Sequence, residues 1–244
     1  MLSIPDPTAV TAAPLVSVII PVYNEEGNVS ELQREIELAL KDISHEILFV
    51  DDGSEDRTVE QINRTPCVRV LEFEKNAGQS AAIYAGLNAG RGKILVLIDG
   101  DLQNDANDIP RLLAEIDKGA DLVCGYRVKR KDSWFKRLQS RIANGVRSRF
   151  TKDGVRDTGC TLKAMKRDCL EALIPFHGMH RFIPALIKGF GYKITEIPVN
   201  HRARHRGFSK YSFGNRALHA TVDMFGVRWL LGRQIKIRIK RHRL

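Results

Sequence analysis

Residues 94–103 read Ile-Leu-Val-Leu-Ile-Asp-Gly-Asp-Leu-Gln. Five consecutive apolar residues closed by an acidic turn describe a short strand buried on both faces, as in the middle of a parallel sheet. The same form recurs to either side. Leu15–Val22 runs into Tyr23-Asn24-Glu25-Glu26 and Glu46–Val50 into Asp51-Asp52-Gly53-Ser54, while Val68–Phe73 and Asp121–Gly125 are further predicted strands. Predicted helices lie between them: Val29–Lys41, with Leu32, Ile36 and Leu40 at helical spacing, then Thr58–Asn63, Gln79–Ala89 and Ile109–Lys118. Such β-α alternation implies a Rossmann-like α/β domain with a mostly parallel sheet flanked by helices.

After Gly125 the pattern changes. A basic segment, Arg127–Lys152, leads to Asp157-Thr158-Gly159-Cys160, an amphipathic Arg181–Phe190 and a strand-like Lys193–Val199. The basic loop His201–Tyr211 and a helical tail from Phe213 follow. In that tail Leu218, Val222, Phe225 and Trp229 form an apolar stripe, widened by Leu230 and Leu231, before the basic run Arg233–Arg243. A stripe with an indole and a basic cluster suits an anionic membrane surface; packing on the domain, or docking to a small membrane-spanning partner, are the alternatives.

At 244 residues and 43% hydrophobic, the chain is long enough for one large domain with a real core. Its net charge of +10 is unevenly divided: residues 1–120 hold 10 Lys/Arg against 21 Asp/Glu, and residues 121–244 hold 29 against 8. An acidic half suits metal and hydroxyl-rich ligands, and a basic half suits phosphates, anionic membranes or nucleic acid, unless it is only a solvated surface. Cys67, Cys124, Cys160 and Cys169 show no CxxC spacing, which argues against a zinc knot or a disulfide framework and for a reduced, cytosolic protein. Met1–Pro14 lacks the basic start and apolar core of a secretory signal and reads as a loose tail. No uncharged apolar run reaches the roughly 18 residues that a membrane-spanning helix needs.

In parallel sheets ligands sit beyond the carboxyl ends of the strands, where this chain places its acids. Asp99 and Asp101, two apart, would point the same way and offer two carboxylates to one hard cation such as Mg²⁺ or Mn²⁺, with Gln103 as a further oxygen. A solvated acidic turn is the competing reading, and a position directly after an apolar strand weighs against it. Asp51-Asp52-Gly53-Ser54 is either a helix-capping turn or a carboxylate pair for a nucleobase or ribose, with Tyr23 and Glu25 as a packing ring and a second acceptor. No Gly-x-Gly-x-x-Gly turn, nucleophile elbow, Walker loop or His-Glu-x-x-His helix is present. His177 and His180 form a His-x-x-His without an intervening Glu, read as structural or acceptor-facing.

Taken in order, Ser17–Glu26, Val50–Ser54, Asn76-Ala77-Gly78, Asp99–Gln103, Gly125-Tyr126-Arg127, Asp157-Thr158-Gly159 and Arg206–Tyr211 resemble the family 2 glycosyltransferases. Within that family the likeness is to the branch of dolichol-phosphate mannosyltransferases and polyprenyl-phosphate glycosyltransferases. It covers about Val16 to Tyr211 and implies a GT-A-type catalytic domain over 15–211, after a tail at 1–14 and before a basic amphipathic helical tail at 212–244. Pro21, Tyr23, Glu25, Asp51 and Asp52 would meet the nucleoside of a nucleotide-sugar donor, GDP-mannose or a UDP-sugar. Asp99, Asp101 and Gln103 would bind Mg²⁺ or Mn²⁺ and the donor diphosphate, and Asp99, Asp101 and Arg127 would carry catalysis. Arg127, Arg141, Arg206 and Lys210 match positions that meet the phosphate of a polyprenyl or dolichyl acceptor. Where relatives often have an aromatic and an arginine after the Ser/Thr-Gly pair, this chain has Cys160-Thr161-Leu162-Lys163.

The resemblance further implies an inverting, metal-dependent transfer at the cytoplasmic face of the membrane, with peripheral attachment. Transfer to a polysaccharide or glycan hydroxyl is the alternative, and would leave the Arg206–Lys210 loop unexplained. A sugar-phosphate nucleotidylyltransferase would need a Gly-rich, Arg-containing loop where Pro21-Val22-Tyr23 stands. A nucleic-acid binder would need stacking aromatics among the basic residues, and nucleic acid is not an expected partner.

Overall fold

Alternation along the first strand builds the core on both faces of one sheet. In the computed structural model, which describes residues 13–128, 148–151, 153–202 and 214–233 (side chains of 214–220 excepted), β1 spans Val16–Val22. Val16, Val18, Ile20 and Val22 face one layer and Ile19 the other, all buried, as the two-residue period of a strand requires. β2 (His45–Asp51), β3 (Val68–Glu72), β4 (Ile94–Leu97) and β5 (Leu122–Arg127) are the other strands read from the sequence up to Gly125. β7 (Ile194–Val199) lies within the strand-like Lys193–Val199.

Between the strands lie α1 (Val29–Ala39), α2 (Gln79–Ala89) and α3 (Ile109–Asp117). α1 buries Val29, Leu32 and Ile36, and α3 buries Ile109, Leu112 and Ile116, so each presents one apolar stripe to the first face. α2 covers the second face, where Gly86 comes so close that a Cβ would stand 2.5 Å from Ile19 Cγ2. α4 (Ile183–Phe190) joins it there, and Val227 of α5 (Gly214–Arg233) is buried in the same layer.

Two expectations are corrected. Thr58–Asn63 is a turn rather than a helix: Thr58 bonds back to Asp56 through its N–H at 2.9 Å and through its hydroxyl, and only short i to i+3 and i+4 contacts follow. A strand that the apolar pattern did not show, β6 (Lys163–Lys166), pairs antiparallel with both β4 and β5. The seven-stranded order is β3-β2-β1-β4-β6-β5-β7, parallel throughout except at β6. Two helix-bearing layers, one on each face of this sheet, make a single α/β domain with a C-terminal helix. Among the described residues no helix is long and apolar enough to cross a membrane, and the four cysteines are free thiols.

Candidate active site

Six strands bring their carboxyl ends to one edge, and β6, running the other way, brings its first residue, Lys163, to the same edge opposite Leu97. Asp99-Gly100-Asp101 turns away there, just past β4. Gly100 lies against β1: a Cβ would stand 2.9 Å from Val22 Cγ1 and 3.4 Å from the Pro21 carbonyl oxygen. Leu102 takes φ of 60°, a left-handed conformation unfavourable for a leucine, so strain is concentrated in this turn. Asp101 is buried, and its Oδ1 accepts the Gln103 N–H at 3.2 Å. Asp99 Oδ1 accepts the side-chain amide of Gln79 at 3.1 Å. Burial, and then the neighbouring Asp101 carboxylate, push the Asp99 acid up to about 6, against the opposing pull of the Thr161 hydroxyl and the charges of Lys163 and Arg127.

Gln79 opens α2, and that first turn ties three loops together. The Asp52 carboxylate accepts the N–H groups of Ala77, at 2.7 Å, and Gly78, at 2.9 Å, so it sits on the positive end of the helix. Ser80 Oγ meets His180 Nδ1 at 2.8 Å and accepts the Gly178 N–H at 3.0 Å. Asp51 holds its own turn through the Ser54 N–H, at 2.9 Å, and the Ser54 hydroxyl. Gly53 has φ of 74° and packs against the backbone of Lys75 and Asn76. Pro21 pairs with Val50 inside the sheet, and Tyr23 follows half-buried. Glu25 accepts the Asn28 amide at 2.5 Å and donates its own N–H to Thr58 Oγ1 at 2.7 Å. The structure thus gathers Pro21, Tyr23, Glu25, Asp51, Asp52, Asp99 and Asp101 along one edge, with both aspartates of the second turn engaged in holding loops.

The basic side is equally tied. Arg127 is 15% exposed and grips Asp157 with two parallel bonds, Nε to Oδ2 at 2.7 Å and Nη2 to Oδ1 at 2.8 Å. Gly159 lies under that pair, 2.9 Å from Arg127 Nη2 to an added Cβ. Lys163, buried, donates its ammonium to the Cys160 carbonyl. Gln103 is clipped to the start of the basic loop: its carbonyl accepts the Arg202 N–H at 2.8 Å, and its side-chain amide donates to the Arg202 carbonyl at 3.4 Å. Arg202 spans Glu35, at 2.6 Å, and Asp105, at 2.9 Å. Arg141, Arg206 and Lys210 lie outside the described residues. Sequence reading missed Gln79, whose only signal was its place directly after Asn76-Ala77-Gly78, and Arg202, which no local pattern marks.

Two crowded carboxylates at the carboxyl edge of the sheet are a donor set that a hard cation fits. Among the described residues no three His, Cys, Asp or Glu side chains converge on one point. Asp99 and Asp101 would therefore supply part of the shell and a bound diphosphate and water the rest, as is usual for Mg²⁺ and Mn²⁺.

A mostly parallel sheet with helices on both faces, its acids gathered at the carboxyl edge beside paired basic side chains, defines an α/β fold with one candidate ligand-binding edge. The profile described as "Glycosyl transferase family 2" matches residues 17–174, and the chain belongs to that family. It is 41% identical over 203 residues to an undecaprenyl-phosphate 4-deoxy-4-formamido-L-arabinose transferase of Edwardsiella ictaluri (strain 93-146), covering 80% of this chain and 62% of that one. The enzyme of the same description from Pseudomonas fluorescens (strain Pf0-1) is 41% identical over 205 residues, covering 81% and 60%. The chain thus spans about three-fifths of the length of these curated relatives. Among solved structures, glucosyl-3-phosphoglycerate synthase from Mycobacterium tuberculosis, in complex with Mn²⁺, uridine diphosphate and phosphoglyceric acid, superposes with a TM-score of 0.68. At 21% identity over 89% of this chain and 79% of that one, the likeness establishes the fold.

Proposed function

We propose that the chain transfers a sugar, with inversion, from a nucleotide-sugar donor to a polyprenyl phosphate. The observation that carries this reading is the Asp99-Gly100-Asp101 turn, with its acids crowded together at the carboxyl edge and Asp99 oriented by Gln79. The relatives that act on undecaprenyl phosphate support the acceptor class. Residues 15–211 would form the catalytic unit.

In this reading Pro21, Tyr23, Glu25, Asp51 and Asp52 bound the nucleoside pocket. Asp52 shapes it through the Ala77-Gly78 loop and Asp51 through Ser54. Asp99 and Asp101, with Gln103 beside them, hold Mg²⁺ or Mn²⁺, which when bound offsets the charge of the departing nucleoside diphosphate. A phosphate monoester is largely dianionic at neutral pH, its second pKa being about 6, so it attacks the anomeric carbon without a strong general base. What the protein must provide is orientation of that anion, the role assigned to Arg127, Arg141, Arg206 and Lys210. Arg127 is already fixed by Asp157, which suits positioning better than movement. Attachment to the cytoplasmic face of an anionic membrane would come through α5 and the basic residues after it.

The direct test is a panel of UDP-glucose, UDP-N-acetylglucosamine, GDP-mannose and UDP-linked 4-deoxy-4-formamido-L-arabinose, each with undecaprenyl phosphate and Mg²⁺ or Mn²⁺. Lipid-linked sugar from one donor is expected. Transfer to a glycan hydroxyl with none to the lipid would overturn the acceptor assignment.

A further inference from the structure

Past the end of β7 the chain stays beside the acidic turn. Asn200-His201-Arg202 runs along Gln103-Asn104, with an antiparallel bridge between Asn104 and His201. The Arg202 N–H donates to the Gln103 carbonyl at 2.8 Å. Asn200 gives its N–H to Asp108 Oδ2 at 2.7 Å and its side-chain amide to Asp105 Oδ2 at 3.3 Å. The segment held in this way begins two positions after Asp101, whose Oδ1 accepts the Gln103 N–H. Between the two stands Leu102, buried and left-handed. A strained residue persists only where its surroundings fix the chain around it, so what grips Gln103 to Asp105 also fixes the conformation of the turn.

The Arg202 side chain is the charged part of that grip. Its Nη1 donates to Glu35 Oε1 of α1 at 2.6 Å and its Nη2 to Asp105 Oδ1 at 2.9 Å, so one guanidinium ties the segment after Asp101 to a core helix. Both carboxylates are only 15% exposed, where a bond to a full charge is stronger than one between neutral groups. Glu35 Oε2 is buried and has no hydrogen-bond partner among the described residues, which leaves Glu35 dependent on Arg202. A carboxylate pair offered to a cation works only when it is held in place beforehand by residues behind it. We propose that Arg202 is a positioning residue for the metal-binding turn: without touching metal or nucleotide, it holds Gln103 to Asp105 in place and so sets the affinity of Asp99 and Asp101 for a divalent cation.

The assignment rests on the reading of Asp99-Gly100-Asp101 as a metal site, and the experiment separates the two claims. The full chain and its Arg202→Ala, Arg202→Lys and Arg69→Ala variants are first compared without metal, by amide hydrogen exchange of the segment 99–105. They are then titrated with Mn²⁺ by calorimetry in the presence of UDP or GDP. Arg69→Ala is the control, because it removes a charged bond to the buried Glu46 at the opposite edge of the sheet. Faster exchange at 99–105 and about tenfold weaker Mn²⁺ binding are expected in Arg202→Ala, and neither in Arg69→Ala. Arg202→Lys should fall between, because an ammonium keeps the charge but loses the fork that spans two carboxylates. If Arg202→Ala melts early, Arg202→Lys carries the comparison. Unchanged exchange at 99–105, unchanged Mn²⁺ affinity, or an equal loss in Arg69→Ala overturns the role given to Arg202. Failure of the unmodified protein to bind Mn²⁺ with either nucleotide overturns the metal reading itself, and the metal-free exchange measurement keeps that result distinct from a failure of the Arg202 grip.

Discussion

Gly100 decides how close the acidic turn can come to β1. Gly100→Ala would drive a methyl group to 2.9 Å from Val22 Cγ1, and the turn must move because Val22 is packed in the core. We expect Mn²⁺ binding, followed by calorimetry with UDP present, to weaken in this variant with little change in thermal melting. Asp101→Asn should abolish transfer with the circular dichroism spectrum intact, and EDTA should reproduce that loss in the unmodified protein; full activity in excess EDTA would refute a metal role. Asp99 and Asp101 were legible because an apolar run aimed them. Asp52 was legible only as an acid in the right place. Its partners, Ala77 and Gly78, lie 25 and 26 residues further on, and no local pattern reveals which amides a carboxylate will meet across a loop. Asp52→Ala leaves those N–H groups without their acceptor, so a loss of about 1–3 kcal/mol in denaturant unfolding is expected.

Elements were legible where an apolar rhythm was long. α2 runs over Gln79–Ala89 as read, bounded by Gly78 with φ of 91° and by Gly90. β6 was not legible, because Lys-Ala-Met-Lys is four residues of mixed polarity, buried only through neighbours that arrive from elsewhere in the chain. Opposite the active edge, β1 and β2 share a buried polar cluster. Glu46 accepts the Ser17 hydroxyl at 2.6 Å, the Arg91 N–H at 2.6 Å, and the Arg69 and Arg91 guanidiniums, each at 3.0 Å. Burial alone would raise the Glu46 acid, but these bonds outweigh it and hold the acid below its ordinary 4.5. The cluster therefore stabilises the fold fully above that value and loses its contribution as pH falls through the lower folded one. Glu46→Gln should lower stability at neutral pH by about 2 kcal/mol and flatten the decline of the unfolding midpoint below about pH 4.5. An acid profile parallel to that of the unmodified protein would show that Glu46 is not the sensitive group.

At the scale of the molecule, α5 has two apolar faces, which explains why its sequence supported both a membrane-surface and a domain-packing reading. Val227 is buried, with Met224, Leu230 and Leu231 packed beside it, while Val222, Phe225 and Trp229 are 62%, 58% and 66% exposed. Substituting the outer three with serine should release the protein from anionic vesicles and cost in stability only the edge-to-face contact of Phe225 with Phe150, about 1 kcal/mol. Val227→Ala should do the reverse, costing about 1–2 kcal/mol of stability with vesicle binding intact. Undiminished sedimentation of the triple variant with vesicles at physiological salt would rule out the outer face as the anchor. The position of β6 has a different consequence, in the order of synthesis. β4 lies in the interior of the sheet, yet the strand that covers its outer edge is not made until residue 166, some 70 residues later. During that interval a nascent chain carries an open, apolar strand edge, the feature that invites pairing between chains. A chain ended at residue 160 should aggregate where one extended through β7 stays dispersed, so β6 acts as a built-in cover for the edge of β4.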